Sequence, residues 1–200
     1  MAGGGLYGKL PSEGDFVTRR LPWDFTSAWD DWLQQGLLAS RAALGERWLQ
    51  CYLSAPIWRF QLAPGVCGAS GWRGLFFASV DRVGRYFPLT LAFPETGAPA
   101  LASLSDAPAA WTALEDAALA GLAPTLPIAD FDRLAEALAL PPPAGADGAG
   151  ARACFYSAGA DDLPAQALQF DDLPPPALFV TLIAPGASPA PTAGSLVDLL

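Results

Sequence analysis

Two different periods of apolar residues divide the first half of the chain. In residues 22–43, apolar side chains recur at spacings of three and four, which predicts a long helix that ends near Gly45. Beyond residue 57, the apolar residues instead come in short, nearly continuous runs that are separated by turn signals. These runs predict strands at residues 57–62, 66–69, 72–80 and 86–93. Runs without a polar face indicate a sheet that is covered on both sides.

Weaker patterns elsewhere complete the predicted set of elements. Residues 12–15 favour a turn, and the Pro- and Gly-rich residues 141–150 favour a flexible surface loop. We expect further strands at residues 6–10, 154–156 and 177–183, and further helices at residues 46–54, 109–122 and 130–140. The candidate helix caps are Asp24 or Thr26 for the long helix, and Ser105 or Asp106 for the helix at 109–122.

These elements predict an α+β fold with one mostly antiparallel sheet of about five or six strands, flanked by helices on both faces. The length suits a single domain over residues 1–200. Within it, residues 6–93 carry the distinctive motifs, and residues 94–200 are rich in alanine, proline and acidic side chains. All tryptophans except Trp111 lie in the first 72 residues, so we expect the better-packed core there.

Charge is spread unevenly along the chain and limits the classes of partner. The formal net charge is −9; residues 1–90 hold nine Lys or Arg and seven Asp or Glu, whereas residues 91–200 hold two and thirteen. An acidic chain without a basic stripe argues against binding to nucleic acid or to anionic membranes, because phosphate neutralisation supplies most of that affinity. A modest arginine-rich bias remains around residues 79–88.

The absence of histidine and the spacing of the cysteines further limit the reactions that the chain could catalyse. There is no histidine, which removes the commonest general base and metal ligand and excludes Ser-His-Asp and Cys-His catalytic sets. The cysteines Cys51, Cys67 and Cys154 form no Cys-x-x-Cys pair and suit a reducing compartment. No signal peptide or membrane-spanning run is recognisable, so we expect a cytoplasmic protein without membrane insertion and without a cofactor.

The segment Ser79–Pro88 places three charged residues within five positions, between apolar runs. Gly84 and its neighbours favour a turn that joins two predicted strands as a hairpin. One hypothesis is structural: Asp81 accepts hydrogen bonds from turn amides, or pairs with Arg82 or Arg85. A second is that Arg82 and Arg85 face a carboxylate or phosphate of a partner, since guanidinium groups suit bidentate contacts. A third makes Asp81 a catalytic acid or base.

Further candidate residues lie outside this segment. Arg41 closes the long helix, where a cation complements the helix dipole. Arg59 lies between two aromatic residues on a predicted strand, where it is either solvated or paired with an acid such as Asp81. Asp15 and Asp81 could serve a magnesium ion, although carboxylates without tight spacing are common at caps and turns. Gly3–Lys9 is similar to a phosphate-binding loop, but the residue after the lysine is neither Ser nor Thr, which favours a strand.

Several ordered motifs in residues 6–93 agree in sequence, order and spacing with one known family. They are Gly8-Lys9-Leu10-Pro11-Ser12-x-Gly14-Asp15-Phe16-Val17, Trp29-Asp30-x-Trp32-Leu33-Gln34-x-Gly36-Leu37, Ser40-Arg41, Trp58-Arg59-Phe60, Cys67-Gly68 and Ser79-Val80-Asp81-Arg82-Val83-Gly84-Arg85-Tyr86-Phe87-Pro88. With these motifs the chain resembles the TagF family, also called ImpM, whose members are associated with the bacterial type VI secretion system. Beyond residue 94 no motif is distinctive.

The resemblance implies a non-enzymatic, cytoplasmic accessory protein that represses assembly of the type VI secretion system after translation. Family members are linked to the forkhead-associated scaffold protein of that system, which is the partner we expect here. Some are fused to a metal-dependent Ser/Thr phosphatase domain, which does not fit in this chain. On this hypothesis Asp81 orders the hairpin, Arg82 and Arg85 form part of a partner surface, and Asp15 lies near it.

Two alternatives stay open on the sequence alone. The first is a magnesium-dependent domain that binds or hydrolyses a phosphoester, with Asp15 and Asp81 on the metal and Arg82 and Arg85 on the phosphate. The second is a structural adaptor whose exposed tryptophans bind a partner helix. The sequence also leaves open whether the two arginines point inward or toward a partner.

Overall fold

A seven-stranded antiparallel sheet forms the centre of the fold. The computed structural model describes residues 3–140, 150–159 and 163–184. In spatial order β2-β1-β5-β4-β3-β6-β7, the strands are β1 (Gly5–Gly8), β2 (Val17–Arg19), β3 (Trp58–Leu62), β4 (Gly71–Phe77), β5 (Leu89–Glu95), β6 (Ala153–Ser157) and β7 (Gln166–Phe170). The predicted α+β class is confirmed, with more strands than expected.

Helices cover both faces of the sheet. They are α1 (Trp23–Leu44), α2 (Trp48–Leu53), α3 (Ala102–Ser105), α4 (Pro108–Ala120), α5 (Ile128–Ala137) and α6 (Phe179–Ile183). One hydrophobic core lies between the sheet and α1, α2 and α6, and a second lies between the sheet and α3, α4 and α5. The covered sheet that the apolar runs predict is therefore confirmed. Among the described residues, no helix combines the length and hydrophobicity that a membrane span needs.

The first core is built around Trp29 of α1. Its ring centroid lies 4.6 Å from that of Phe60 on β3 and 4.7 Å from that of Trp32. Its indole Nε1 donates a hydrogen bond to Thr90 Oγ1 at 2.9 Å, so its polar atom is satisfied although the residue is fully buried. The aromatic residues of the first half thus fix α1 across the central strands.

Gly36 allows α1 and α6 to pack closely. A Cβ atom at this position would lie 2.3 Å from Cδ2 and 2.9 Å from Cβ of Phe179. Because Cβ is near the backbone, an added methyl group must move the α6 helix rather than the end of a flexible side chain. On an open helix face, the same Gly-to-Ala change would instead stabilise by about 1 kcal/mol through helix propensity.

We expect Gly36→Ala to lower the free energy of unfolding by about 1–3 kcal/mol, because overpacking outweighs the gain in propensity. Urea denaturation followed by tryptophan fluorescence measures this change. The matched control is Gln35→Ala, at an exposed neighbouring position of α1, which should shift stability by less than about 0.5 kcal/mol. A Gly36→Ala variant as stable as the wild type would contradict the close packing of α1 and α6.

The prediction for the ends of α1 is confirmed at the C-terminus and wrong at the N-terminus. Gly45, with a φ of 54°, follows the last residue of the helix as expected. The predicted caps Asp24 and Thr26 are wrong, because Pro22 occupies the N-cap position and no side chain bonds there. Asp24 lies inside the first turn, and its Oδ2 instead accepts a hydrogen bond from Ala69 N–H at 3.0 Å.

The predicted caps of α4, Ser105 and Asp106, are also wrong. Ala107 occupies the N-cap position with a φ of 52°, without a capping side chain. Pro108 then opens the helix at the position where its missing N–H costs nothing.

Two of the predicted strands are wrong. Residues 66–69 form a turn, because Gly65 and Gly68 adopt positive φ and the Gly65 N–H donates to the Gly68 carbonyl at 2.8 Å. Residues 177–183 form a short 3-10 turn and α6, since a brief apolar run suits a buried helix as well as a strand. Strands β2 and β7 were not predicted. Residues 141–149 of the predicted loop lie outside the described residues.

Candidate functional site

Residues 78–88 connect β4 to β5 as an extended hairpin. At its turn, the N–H of Asp81 donates to the Arg85 carbonyl at 3.1 Å, and the N–H of Gly84 donates to the Asp81 carbonyl at 3.0 Å. Gly84 has a φ of 87°, a conformation that glycine adopts without a steric cost. The hairpin predicted from the sequence is confirmed.

The Asp81 carboxylate lies at the centre of this turn and is completely buried. Its Oδ1 accepts hydrogen bonds from the N–H groups of Val83 at 3.0 Å and Arg85 at 2.9 Å. Its Oδ2 lies 2.6 Å from Arg85 Nε and 3.0 Å from Lys9 Nζ. Burial by itself would raise the pKa of Asp81, but the hydrogen bond from the Arg85 N–H and the Lys9 and Arg85 cations outweigh it and hold the pKa well below its usual range.

Lys9 is the member of this site that sequence reasoning missed. The residue is only 5% exposed, and its Nζ lies 5.0 Å from the ring centroid of Phe16. Gly3–Lys9 has the residue spacing of a phosphate-binding loop but does not form one, because Gly5–Gly8 forms strand β1. The available signal is a lysine at the end of an apolar strand, because a buried lysine needs a counter-charge.

A second loop, residues 10–16, is tied to the hairpin turn. The Glu13 carbonyl accepts a hydrogen bond from the Arg82 N–H at 2.8 Å, and the Gly14 carbonyl accepts one from Arg85 Nη2 at 2.6 Å. The Arg82 guanidinium lies over the same glycine, because a Cβ on Gly14 would be 3.0 Å from Arg82 Nη2. Both arginines therefore converge on one loop, and the two segments form one unit.

Ser79 stabilises this unit through buried hydrogen bonds. Its Oγ donates to the Lys9 carbonyl at 2.7 Å across a sequence separation of 70 residues. The hydroxyl of Tyr52 accepts a hydrogen bond from the Ser79 N–H at 3.0 Å and donates one to the Ser79 carbonyl at 2.9 Å. Ser79 is buried, so its contribution is to hold the start of the hairpin on β1 and α2.

The outer surface of the unit consists of Phe16, Arg82, Val83 and Arg85, which we call the Arg82 face. Phe16 is 43% exposed and Val83 67%, while 55% of the Arg85 side chain is exposed. None of the ion pairs within the described residues includes Arg82. The face thus presents two guanidinium groups beside two apolar side chains, a combination that suits a carboxylate or phosphate next to an apolar group.

Comparison with known proteins identifies the family. A profile described as "TagF N-terminal domain, Type VI secretion system-associated" matches residues 5–138. The chain belongs to the TagF family. The resemblance carried by its motifs is confirmed, and this TagF chain is a type VI secretion system-associated protein.

A solved structure agrees with the fold of this TagF chain. The chain is similar to PA0076 from Pseudomonas aeruginosa PAO1, known from a crystal structure at 2.05 Å resolution, with 32% sequence identity and a TM-score of 0.82. The match covers 94% of this chain and 97% of that chain. No curated protein matches this TagF chain.

Arg59 of this TagF chain lies away from the Arg82 face, in the second core. The predicted pairing with an acid is confirmed, but the acid is Glu115 rather than Asp81, and the Arg59 side chain is buried. Its Nε lies 2.7 Å from Glu115 Oε1, and its Nη1 donates to the Leu104 carbonyl at 2.8 Å. The guanidinium carbon also lies 5.0 Å from the ring centroid of Trp111. Arg59 therefore holds α3 and α4 onto β3.

Asp15 lies beside the Arg82 face and is exposed. Its Oδ1 accepts a hydrogen bond from the Phe16 N–H at 2.8 Å. Within residues 3–140, 150–159 and 163–184, no group of three or more His, Cys, Asp or Glu side chains is arranged to hold a metal ion. A magnesium ion at Asp81 would have to displace Lys9 or Arg85, so the geometry gives the magnesium hypothesis no support.

Arg41 lies in the last turn of α1, as predicted, and is outside the Arg82 face. Its guanidinium carbon packs 4.1 Å from the ring centroid of Trp48. The adaptor hypothesis finds little support, because every tryptophan except Trp23 is buried.

Proposed function

We propose that this TagF protein is a non-enzymatic, cytoplasmic repressor of type VI secretion system assembly that acts after translation by binding another protein. The partner is the forkhead-associated scaffold protein of that system. Membership of a type VI secretion system-associated family is the starting point. The chemistry of the Arg82 face then supports a role in protein binding.

The observation that carries the proposal is the buried Asp81 carboxylate beneath exposed arginines. Asp81 and the carbonyls of Glu13 and Gly14 fix the backbone of the turn and the Arg85 side chain before any partner arrives. A surface that is already ordered loses less conformational entropy on binding than a flexible one. Arginine and aromatic side chains also dominate the energetics of protein interfaces.

The same geometry disfavours a catalytic role for Asp81. A general base needs an accessible lone pair and a pKa near the working pH. Both oxygens of Asp81 accept hydrogen bonds or contact a cation, and its pKa is depressed by those partners despite its burial. Recognition of an anionic group by Arg82 and Arg85 needs no proton transfer.

Retention of the purified forkhead-associated scaffold by the immobilised protein tests the proposal. We expect the wild type to bind the scaffold, and Arg82→Ala with Arg85→Ala to weaken binding at least about tenfold, because the paired guanidinium groups are lost. In cells, the double variant should restore secretion system assembly while the amount of scaffold stays unchanged.

The matched control is Arg19→Ala with Arg47→Ala, which removes two exposed arginines elsewhere. Arg82→Ala alone separates the interface from the turn, since Arg85 also contacts Asp81. Circular dichroism verifies the fold of each variant. A folded double variant that binds like the wild type overturns the role of the Arg82 face, and a wild type that fails to bind overturns the choice of partner.

A further inference from the structure

A groove beside the Arg82 face takes no part in the proposed scaffold contact. It has a volume of about 200 Å³ and is lined by Gln34, Leu37, Leu38, Arg41, Tyr86 and Phe87. One wall is the exposed side of α1, and the other is the segment between the hairpin turn and β5, which contains Tyr86 and Phe87. Sites for drug-sized ligands measure roughly 300–1,000 Å³, so this groove, which we call the α1 groove, suits one side chain of a partner.

The α1 groove offers apolar contact that is open to solvent. Leu38 is 66% exposed and adjoins the buried Leu37. Phe87 lies in the opposite wall, and its ring centroid is 4.8 Å from that of Phe16 in the Arg82 face. The groove is therefore continuous with that face. A single exposed leucine is ordinary on a protein surface, but one at the mouth of a groove can contact an inserted side chain.

Arg41 gives the α1 groove its charge. The guanidinium is held on the Trp48 ring, and none of the ion pairs in the described part of the chain includes it. Asp30 on the same helix is already engaged, because its carboxylate accepts hydrogen bonds from the Tyr7 hydroxyl and the Gln34 amide. The groove thus presents a positioned cation that forms no ion pair with a carboxylate of the described residues.

We propose that the α1 groove receives an acidic segment of a partner protein. One apolar side chain of that segment packs against Leu37, Leu38 and Phe87, and a neighbouring carboxylate pairs with Arg41. Charge decides between the possible occupants, because a basic segment would meet Arg41 at short range. The inference rests on the proposed function in that TagF acts through protein binding, but it does not depend on which protein is bound.

Selection from a random peptide library displayed on phage, against the purified full chain, tests the groove independently of the scaffold. We expect enrichment of peptides with an apolar residue next to Asp or Glu. Fluorescence anisotropy with the synthetic forms of the enriched peptides then measures affinity. Leu38→Asp and Arg41→Glu should each weaken binding by about tenfold or more. The matched control Leu53→Asp changes an apolar side chain that is 60% exposed outside the groove, and should bind the peptides like the wild type.

Four outcomes overturn the proposal. The first three are the absence of enriched peptides, enrichment of basic peptides, and peptide binding that Leu38→Asp leaves unchanged in a variant with wild-type circular dichroism. A fourth is a wild-type dimer in light scattering that Leu38→Asp converts to a monomer, because a second copy would then fill the groove. A protein that binds acidic peptides in the groove but not the scaffold keeps this inference and loses the proposed partner.

Discussion

Replacing Asp81 with asparagine is expected to destabilise the protein at neutral pH more than any other single loss of charge at the hairpin turn. Asparagine keeps a carbonyl oxygen for the N–H groups of Val83 and Arg85. It removes the negative charge opposite Lys9, whose ammonium group is buried and 3.0 Å away. A buried cation without its counter-charge pays an uncompensated desolvation cost, whereas Arg85 can turn toward solvent.

The stability lost in Asp81→Asn depends on pH in a direction that the pKa shift fixes. The folded pKa of Asp81 lies below the unfolded value of about 3.9, because the surrounding donors and cations outweigh the effect of burial. Folding therefore favours the ionised carboxylate, and its contribution is fully present above the unfolded pKa. That contribution is lost as the pH falls through the folded pKa. The difference between the wild type and Asp81→Asn should be largest near pH 7 and shrink below about pH 4.

Urea denaturation of both proteins at several pH values from neutral to acid measures this difference. Asp15→Asn is the matched control, because Asp15 is exposed. The hydrogen bond that its carboxylate accepts comes from the backbone N–H of the next residue, Phe16. Asp15→Asn should leave the stability close to that of the wild type at each pH. A difference for Asp81→Asn that stays constant or grows toward acid would contradict the assignment of Asp81 as the buried anion of the site.

Arg59→Met is the second substitution with a large expected effect, a loss of about 3 kcal/mol in the free energy of unfolding. Methionine retains much of the apolar stem of the arginine. It removes the guanidinium that pairs with Glu115 at 2.7 Å and donates to the Leu104 carbonyl at 2.8 Å. Glu115 would then be a mostly buried carboxylate without its cation, and the Leu104 carbonyl would lose its donor.

Chemical denaturation of Arg59→Met, Glu115→Met and the double variant tests this account. A buried ion pair replaced on both sides by apolar residues is often close to neutral, so the double variant should be more stable than the sum of the single changes implies. Arg133→Met is the control, because the Arg133 side chain is 77% exposed. Strict additivity of the Arg59 and Glu115 changes would show that the two side chains do not act as a pair.

Local patterns predicted the parts of the fold that depend on neighbours in sequence. The helical period of residues 22–43 and the glycine of the hairpin turn encode their own structure, so α1 and the link between β4 and β5 are both confirmed. The strand β7 carries no such signal, since Gln166–Phe170 is a short stretch of mixed polar and apolar residues that prolines and acids surround. Its pairing with β6 is decided by the rest of the sheet.

The sequence predicted where the candidate site lies in the chain, but not which side chains contact one another within it. The motif around Asp81 identified the family and the turn. The structural hypothesis is confirmed for Arg85, which pairs with Asp81, whereas the hypothesis that the arginines face a partner stays a prediction. The contacts of Lys9 with Asp81 and of Arg59 with Glu115 cross long separations, 56 residues for the latter. No local period reports such contacts, because only the packing of the sheet brings these elements together.

The sheet extends past the segment that the family profile covers, which ends at residue 138. Strand β6 pairs with β3, the Phe155 ring centroid lies 5.7 Å from that of Trp32, and Trp58 Nε1 donates to the Leu182 carbonyl at 2.7 Å. A fragment that ends at residue 138 would leave β3 as an unpaired edge strand and would expose an aromatic surface to solvent. Both changes promote aggregation. The matched region is therefore a unit of sequence similarity rather than of folding, and fusions or truncations have to retain β6, β7 and α6.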